Sequence, residues 1–377
     1  MPEISIWEKE SFFAPRDIII IGSGFVGLWS AYYLKKYNPE LSIAIVDRGI
    51  IPTGASTRNA GFACFGSVTE LMADTAKMGE DKMLDIVEMR FKGLQKIRKI
   101  FHHKEIDFKE SGGYELLTNA QKTDINRLRS DIDWLNRKLT KITGMPKSYH
   151  LDDRKISEFG FASVDHLIEN KLEGQLHPGK LSQALLRLVG SMGVTILNGM
   201  EIKRFENING KIELQTNHSF SLSADRILIC TNAFAKQLLP ELDVEPARGQ
   251  LLMTSPIPHL KFKGTFHFDE GFYYFRNLGD SVLLGGARNK AIEQEHTYEL
   301  STSDSIQQEL ERFLHEVILP NEKYTIVHRW SGIMGIGAEK KPIVKQITGN
   351  IFSAVRMAGM GVALAPQIGK TIAKQMC

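Results

Sequence analysis

Six residues, Gly22-Ser-Gly24-Phe-Val-Gly27, constrain this chain more than any other feature. They follow residues 17–21, a β-branched run suited to a buried parallel strand. They lead into a helical segment, 25–37, that ends before Asn38-Pro39. A second apolar run, 41–46, ends at Asp47. Strand, Gly-rich turn, helix and strand make one βαβ unit of about 30 residues. Gly22 permits the tight turn, Gly24 lets the backbone approach a diphosphate, and Gly27 lets helix and strand pack closely. The helix start at Phe25 and Val26 presents free N–H groups to that diphosphate. Asp47 is placed to accept hydrogen bonds from a ribose 2′-hydroxyl and would repel a 2′-phosphate. The unit therefore predicts dinucleotide binding. The next segment, Thr53-Gly-Ala-Ser-Thr-Arg-Asn-Ala-Gly61, adds small residues, hydroxyls and backbone donors that an extended cofactor can use.

One such unit does not account for 377 residues, a length that suits two or three domains. Beyond it, 81–101 and 125–139 read as amphipathic helices, and 180–192 as a helix closed by Gly193. Asn209-Gly210 between two alternating runs signals a hairpin. From 245 to 330 aromatic-rich runs such as 272–276 suggest antiparallel sheet, and 303–317 one helix. The last stretch returns to strand, Gly-rich turn and helix. The expected fold class is α/β at both chain ends and α+β overall.

Several classes are disfavoured. A net charge of +3 is too balanced to imply nucleic acid, although residues 85–151 hold 14 basic against 9 acidic side chains. Residues 18–34 carry no charge, but Gly22, Gly24 and Gly27 interrupt them, so a transmembrane segment is not expected. Cys64, Cys230 and Cys377 have neither metal-ligand nor disulfide spacing, which suits a reduced, cytoplasmic setting and no metal.

With Val46-Asp47-Arg48-Gly49 and the 53–61 run, the fingerprint resembles the FAD-dependent amine and amino-acid oxidases of the D-amino-acid oxidase superfamily. Glycine, sarcosine and gamma-glutamylputrescine oxidases belong there. Gln175-Leu-His-Pro178, Arg248-Gly-Gln250, Tyr273-Tyr-Phe-Arg276, Trp330-Ser-Gly332 and Met357-Ala-Gly-Met-Gly-Val-Ala-Leu-Ala-Pro366 follow in the expected order. The resemblance implies a discontinuous Rossmann-like FAD domain (14–84, 152–240, 325–377) and an inserted antiparallel-sheet substrate domain (85–151, 241–324). It implies non-covalent FAD, held by Gly22, Gly24, Phe25, Val26, Gly27, Asp47, Arg48, Gly54, Ala55, Ser56, Arg58, Asn59, Ala60 and Gly61. Thr231, Asn232, Gly332, Gly359, Met360, Gly361, Val362 and Ala363 complete that set.

The implied reaction takes hydride from the C–H beside an amine nitrogen and leaves an imine that water hydrolyses, with oxygen or a quinone as electron acceptor. Substrate contacts fall to Tyr274 and Arg276, with Arg248, Arg329 and Arg58 as other anion binders. Two departures stand out. Met334 replaces the carboxylate-binding Arg of the glycine-oxidase branch, and Leu284 stands near the oxygen-activating Lys of the sarcosine-oxidase branch. A flavoenzyme acting on modified tRNA and a non-catalytic flavin-binding partner protein remain alternatives.

Overall fold

The computed structural model describes residues 4–377, which form two compact units. The first combines the chain up to Thr57 with Gly179–Ala247 and Met334–Cys377; the second combines Arg58–Pro178 with Arg248–Ile333.

The first unit is built on the βαβ segment. Strand Arg16–Ile21 pairs in parallel with Ile43–Asp47 on one side and Ser221–Ile229 on the other. Thr195–Asn198 and Ile351–Val355 extend the sheet in parallel, and Ile343–Thr348 closes one edge antiparallel. Ile18, Ile19 and Ile20 are essentially without solvent exposure, and the face that bears Ile19 packs against Ile202, Ile212 and Leu214 of two further strands. Helix Phe25–Tyr37 packs on helix Gly361–Met376. A Cβ at Gly369 would lie 2.7 Å from the Trp29 carbonyl carbon, so glycine sets how closely these helices approach. Asn209 and Gly210, both with positive φ, turn the expected hairpin between Ile202–Ile208 and Lys211–Thr216.

The second unit holds an eight-stranded sheet. Tyr273–Leu278 lies between Ser281–Gly286 and Thr265–Phe268, antiparallel to both. Thr265–Phe268 pairs in parallel with Gly113–Thr118, so the sheet is mixed and not wholly antiparallel as expected. One face packs Phe262, Phe266, Phe275 and Tyr273 against Ile306, Leu310 and Phe313 of helix Asp304–Phe313. Residues 314–318 continue that helix as a wider π turn, where one α-helix was expected.

The unit boundaries differ from the expected domains. Residues 58–84 and 152–178 belong to the second unit. Val68–Met78 forms a helix packed on Glu80–Ile100, and Val164–Asn170 pairs with Gly113–Thr118. No helix of the described residues is long and apolar enough to cross a membrane.

Candidate functional site

The first unit provides a glycine cradle. Gly22 has φ +107°, and a Cβ there would lie 3.0 Å from the Cys230 carbonyl oxygen. A Cβ at Gly27 would meet the Gly22 carbonyl oxygen at 2.0 Å, which forbids any side chain. A Cβ at Gly24 would meet only the Ser56 hydroxyl, at 3.0 Å. That hydroxyl accepts the Phe25 N–H at 2.9 Å, so the 53–57 turn is pinned to the helix start. Val26 and Gly27 lie in the first turn, where N–H groups lack intrahelical acceptors.

Asp47 closes the cradle. Its Oδ2 accepts the Ser23 N–H at 2.8 Å and the Ser23 hydroxyl at 2.6 Å, and its Oδ1 accepts the Gly49 N–H at 2.9 Å. A carboxylate offers about four acceptor positions, so the two oxygens together keep capacity for a ribose hydroxyl. The Arg48 guanidinium lies 3.8 Å from the centre of the Phe234 ring. The Thr231 hydroxyl is buried with no hydrogen-bond partner. Such an orphan is costly unless a ligand completes it.

A second cluster in the same unit gathers strain. Arg356, Ala358 and Gly359 all have positive φ, as does Asn232. The Asn232 Oδ1 accepts the N–H groups of Arg356 and Met357 at 3.1 and 3.2 Å, and so fixes the turn. Non-glycine residues in this region are sparse and gather at functional positions. The turn delivers the chain to the helix that starts at Gly361, and leaves Gly361, Val362 and Ala363 in its first turn. The Met334 sulfur lies 3.4 Å from the Cβ position of Gly359. Gly54 has open space around its Cα, and Ala55 lies in the same turn.

In the second unit, Arg58 to Gly61 are clipped to the sheet. The Arg58 guanidinium donates to the Ser331 carbonyl at 3.0 Å, and the Trp330 indole donates to the Arg58 carbonyl at 3.1 Å. A Cβ at Gly332 would touch the Arg58 side chain at 3.0 Å. The Asn59 Oδ1 accepts the Gly61 N–H at 2.8 Å, and Ala60 packs with Leu251 and Leu283.

Strand alternation decides which tyrosine is available. Tyr273 and Phe275 point into the aromatic core, and Tyr274 and Arg276 share the other face. The Tyr274 ring lies over Gly285, where a Cβ would come within 2.6 Å. Burial pushes its hydroxyl up to about 12. Arg276 is 4% exposed. Its Nη1 donates to the Leu176 carbonyl at 2.9 Å and the Gly61 carbonyl at 3.4 Å. Its Nε has no partner, and no hydrogen bond engages Nη2 among the described residues. Burial lowers its pKa to about 10; Asp107, the acid that acts on it, is paired with Lys109 at 3.5 Å. One edge of a buried, uncompensated guanidinium is thus open.

The other arginines are engaged. Arg248 makes a two-point pair with Glu295, Nε to Oε2 at 2.9 Å and Nη2 to Oε1 at 2.6 Å. Arg329 donates to Gln307 and, at 2.8 Å, to Glu311.

The same face holds a group the sequence did not reveal. His267 stands in register with Tyr274 on one side and Glu115 on the other. Glu115, Glu173, Asn170, Tyr149 and His267 line a small cavity. Burial pushes Glu115 up to about 7 and Glu173 up to about 8, and holds His267 down at about 4. The Glu173 Oε1 accepts the Phe65 N–H at 2.7 Å and the Gly66 N–H at 3.3 Å. Cys64 is a free thiol beside Arg90, pushed up to about 12 by burial. Elsewhere, His150, Asp152 and Glu169 converge, but the Lys155 ammonium lies 2.7 Å from Glu169 and supplies the cation there.

Known proteins agree with this organisation. The family model DAO, FAD dependent oxidoreductase, matches residues 17–375. A probable oxidoreductase, OrdL, of Haemophilus influenzae is 22% identical over 375 residues, 95% of this chain and 82% of that protein. The solved L-proline dehydrogenase of P. horikoshii superposes with TM-score 0.76 at 18% identity, covering 96% of this chain and 92% of that one. Glycine oxidase of Geobacillus kaustophilus gives TM-score 0.76 at 19% identity, covering 96% and 94%. At these identities the structures share the fold.

Proposed function

The chain belongs to the DAO family of FAD-dependent oxidoreductases, and from that premise we propose that it oxidises the C–N bond of an amino acid, with FAD bound non-covalently. The residues of the first unit fit the cofactor. The cradle at Gly22, Gly24 and Gly27 admits a diphosphate backbone-close, Asp47 keeps acceptor capacity for ribose, and Thr231 has a hydroxyl to complete. The first turn at Gly361, Val362 and Ala363 presents N–H groups and a positive helix end toward developing negative charge. When bound, the flavin supplies the acceptor for the hydride.

The observation that carries the substrate reading is Arg276. A guanidinium taken from water without a counter-charge is costly. Its open Nε and Nη2 edge matches a carboxylate through two parallel hydrogen bonds. Held this way, an amino acid has its Cα fixed relative to the sheet face. The Tyr274 hydroxyl, protonated across the physiological range, is a hydrogen-bonding partner on that face. The amine must lose its proton before the C–H bond breaks, and the imine product then takes up water to give an oxo acid and ammonia.

The test is a turnover screen of amines and of both enantiomers of amino acids, read by peroxide and by dye reduction, with the carbonyl product identified. Oxo-acid formation supports the reading. Turnover confined to amines without a carboxylate would contradict it.

A further inference from the structure

Near Tyr274 the second unit carries a second cation, Arg288, that the amino-acid reading does not use. Ser281–Gly286 ends in register with Tyr273 and Tyr274, and the Ala287 N–H donates to the Phe272 carbonyl at 2.9 Å. Ala287 adopts φ +59°, a left-handed conformation, and Arg288 follows it just past the end of the strand. The Arg288 guanidinium lies 5.8 Å from the centre of the Phe272 ring. Tyr274 and Arg288 act on one another electrostatically. Arg288 is half-buried, and among the described residues its guanidinium has neither a hydrogen bond nor an ion pair.

The acids in reach are committed elsewhere. Glu295, the carboxylate that acts on Arg288, is bound at both oxygens by Arg248 and again by the Gln250 amide at 2.8 Å. The Asp269 carboxylate accepts the Asn289 amide at 2.8 Å. Two guanidiniums therefore flank Tyr274 without a neutralising partner: Arg276 two residues along its strand, and Arg288 two residues past the end of the neighbouring strand. One carboxylate can satisfy only one of them. Nonpolar surface contributed by Tyr274 and Phe62 lowers the local dielectric and strengthens the pull on a second anion.

We propose that the substrate is an amino acid with a second carboxylate, whose α-carboxylate pairs with Arg276 and whose distal carboxylate pairs with Arg288. This rests on the amino-acid reading above for the first carboxylate, while the pairing at Arg288 is tested on its own. Arg288 then sets specificity: it takes no part in breaking the C–H bond, and it discriminates a charged side chain from its neutral isostere.

Two measurements on the flavin-loaded protein decide it. In the first, glutarate and butyrate are titrated separately by calorimetry, which needs no turnover. Glutarate is expected to bind at least about tenfold tighter, and Arg288→Gln is expected to collapse that ratio. In the second, kcat/KM is compared for glutamate against glutamine and for aspartate against asparagine, in both enantiomers. The acid-to-amide ratio is expected to fall at least about tenfold in Arg288→Gln and to recover partly in Arg288→Lys. The flavin spectrum of each variant reports folding. Equal affinity for glutarate and butyrate, or ratios that Arg288→Gln leaves unchanged, would overturn the assignment. Tight glutarate binding that depends on Arg288, with no amino acid oxidised, would overturn the amino-acid oxidation reading and leave the dianion site standing.

Discussion

At the scale of single residues, the difference between a structural and an available arginine is a matter of partners. Arg248 and Arg276 are equally buried, yet only Arg248 has a carboxylate. Replacing Arg276 by Lys keeps the charge and loses the two-point geometry. The ratio of KM for an amino acid to KM for the matching amine is expected to rise at least about tenfold, roughly 1.4 kcal/mol. A constant ratio would reduce Arg276 to a clamp on the Gly61 and Leu176 carbonyls. Glu173 gives a pH prediction. Its folded pKa of about 8 lies above the ordinary carboxylate range, because burial outweighs the donors from Phe65 and Gly66. The folded state then holds a proton that the unfolded chain has released, so stability falls as pH rises from about 4.5 to 8. Glu173→Gln keeps the acceptor for Phe65 and removes the titration. Thermal melts from pH 5 to 9 are expected to show a flatter profile for the variant, by on the order of 3 kcal/mol across the range. Parallel profiles would place the titration elsewhere. None of these partners was legible in the sequence. Glu295 is 47 residues from Arg248 along the chain, and Glu115 and Glu173 stand in unremarkable polar runs.

At the scale of elements, local signals were readable and long-range ones were not. The fingerprint, the Asn209-Gly210 hairpin and the helices at 80–100 and 125–143 follow from turn chemistry and periodicity. The helix Val68–Met78 was missed, although Ser67 and Glu70 form a capping box that the sequence spells. The stretch between Met72 and Met78 holds no large apolar residue, which leaves only a short apolar stripe, Val68, Leu71 and Met72, for periodicity to show. The glycines of the first turn make separable predictions. Gly27→Ala places a methyl 2.0 Å from a carbonyl oxygen, and it is expected to lower Tm and soluble yield whether or not flavin is present. Gly24→Val meets only the movable Ser56 hydroxyl, so the apoprotein is expected to melt near wild type while FAD affinity falls at least about tenfold. Calorimetry with and without FAD separates them. Loss of the apo fold in Gly24→Val, or unchanged FAD affinity, would remove the diphosphate role from this turn.

At the scale of the whole molecule, the chain divides into one unit whose sheet has a parallel centre with antiparallel additions and a second whose sheet is mixed, each assembled from separated segments. The α/β character of the chain ends and the aromatic strands between them were legible as patterns. The boundaries were not, because residues 58–84 and 152–178 find their unit through pairing partners far away in sequence. Cys64 and Cys230 are free, with thiols whose pKa burial raises, which disfavours a thioether tether. Acid or heat precipitation is therefore expected to release all the flavin as FAD into the supernatant; yellow colour retained in the pellet would show covalent attachment. The central claim is that bound flavin takes hydride from an amino acid. It is tested most directly by anaerobic stopped-flow, following flavin absorbance after mixing with amino acids and, separately, with NADH. Bleaching by an amino acid at a rate that saturates with its concentration, and no bleaching by NADH, is the predicted result. Bleaching by NADH alone, with every amino acid inert, would contradict it.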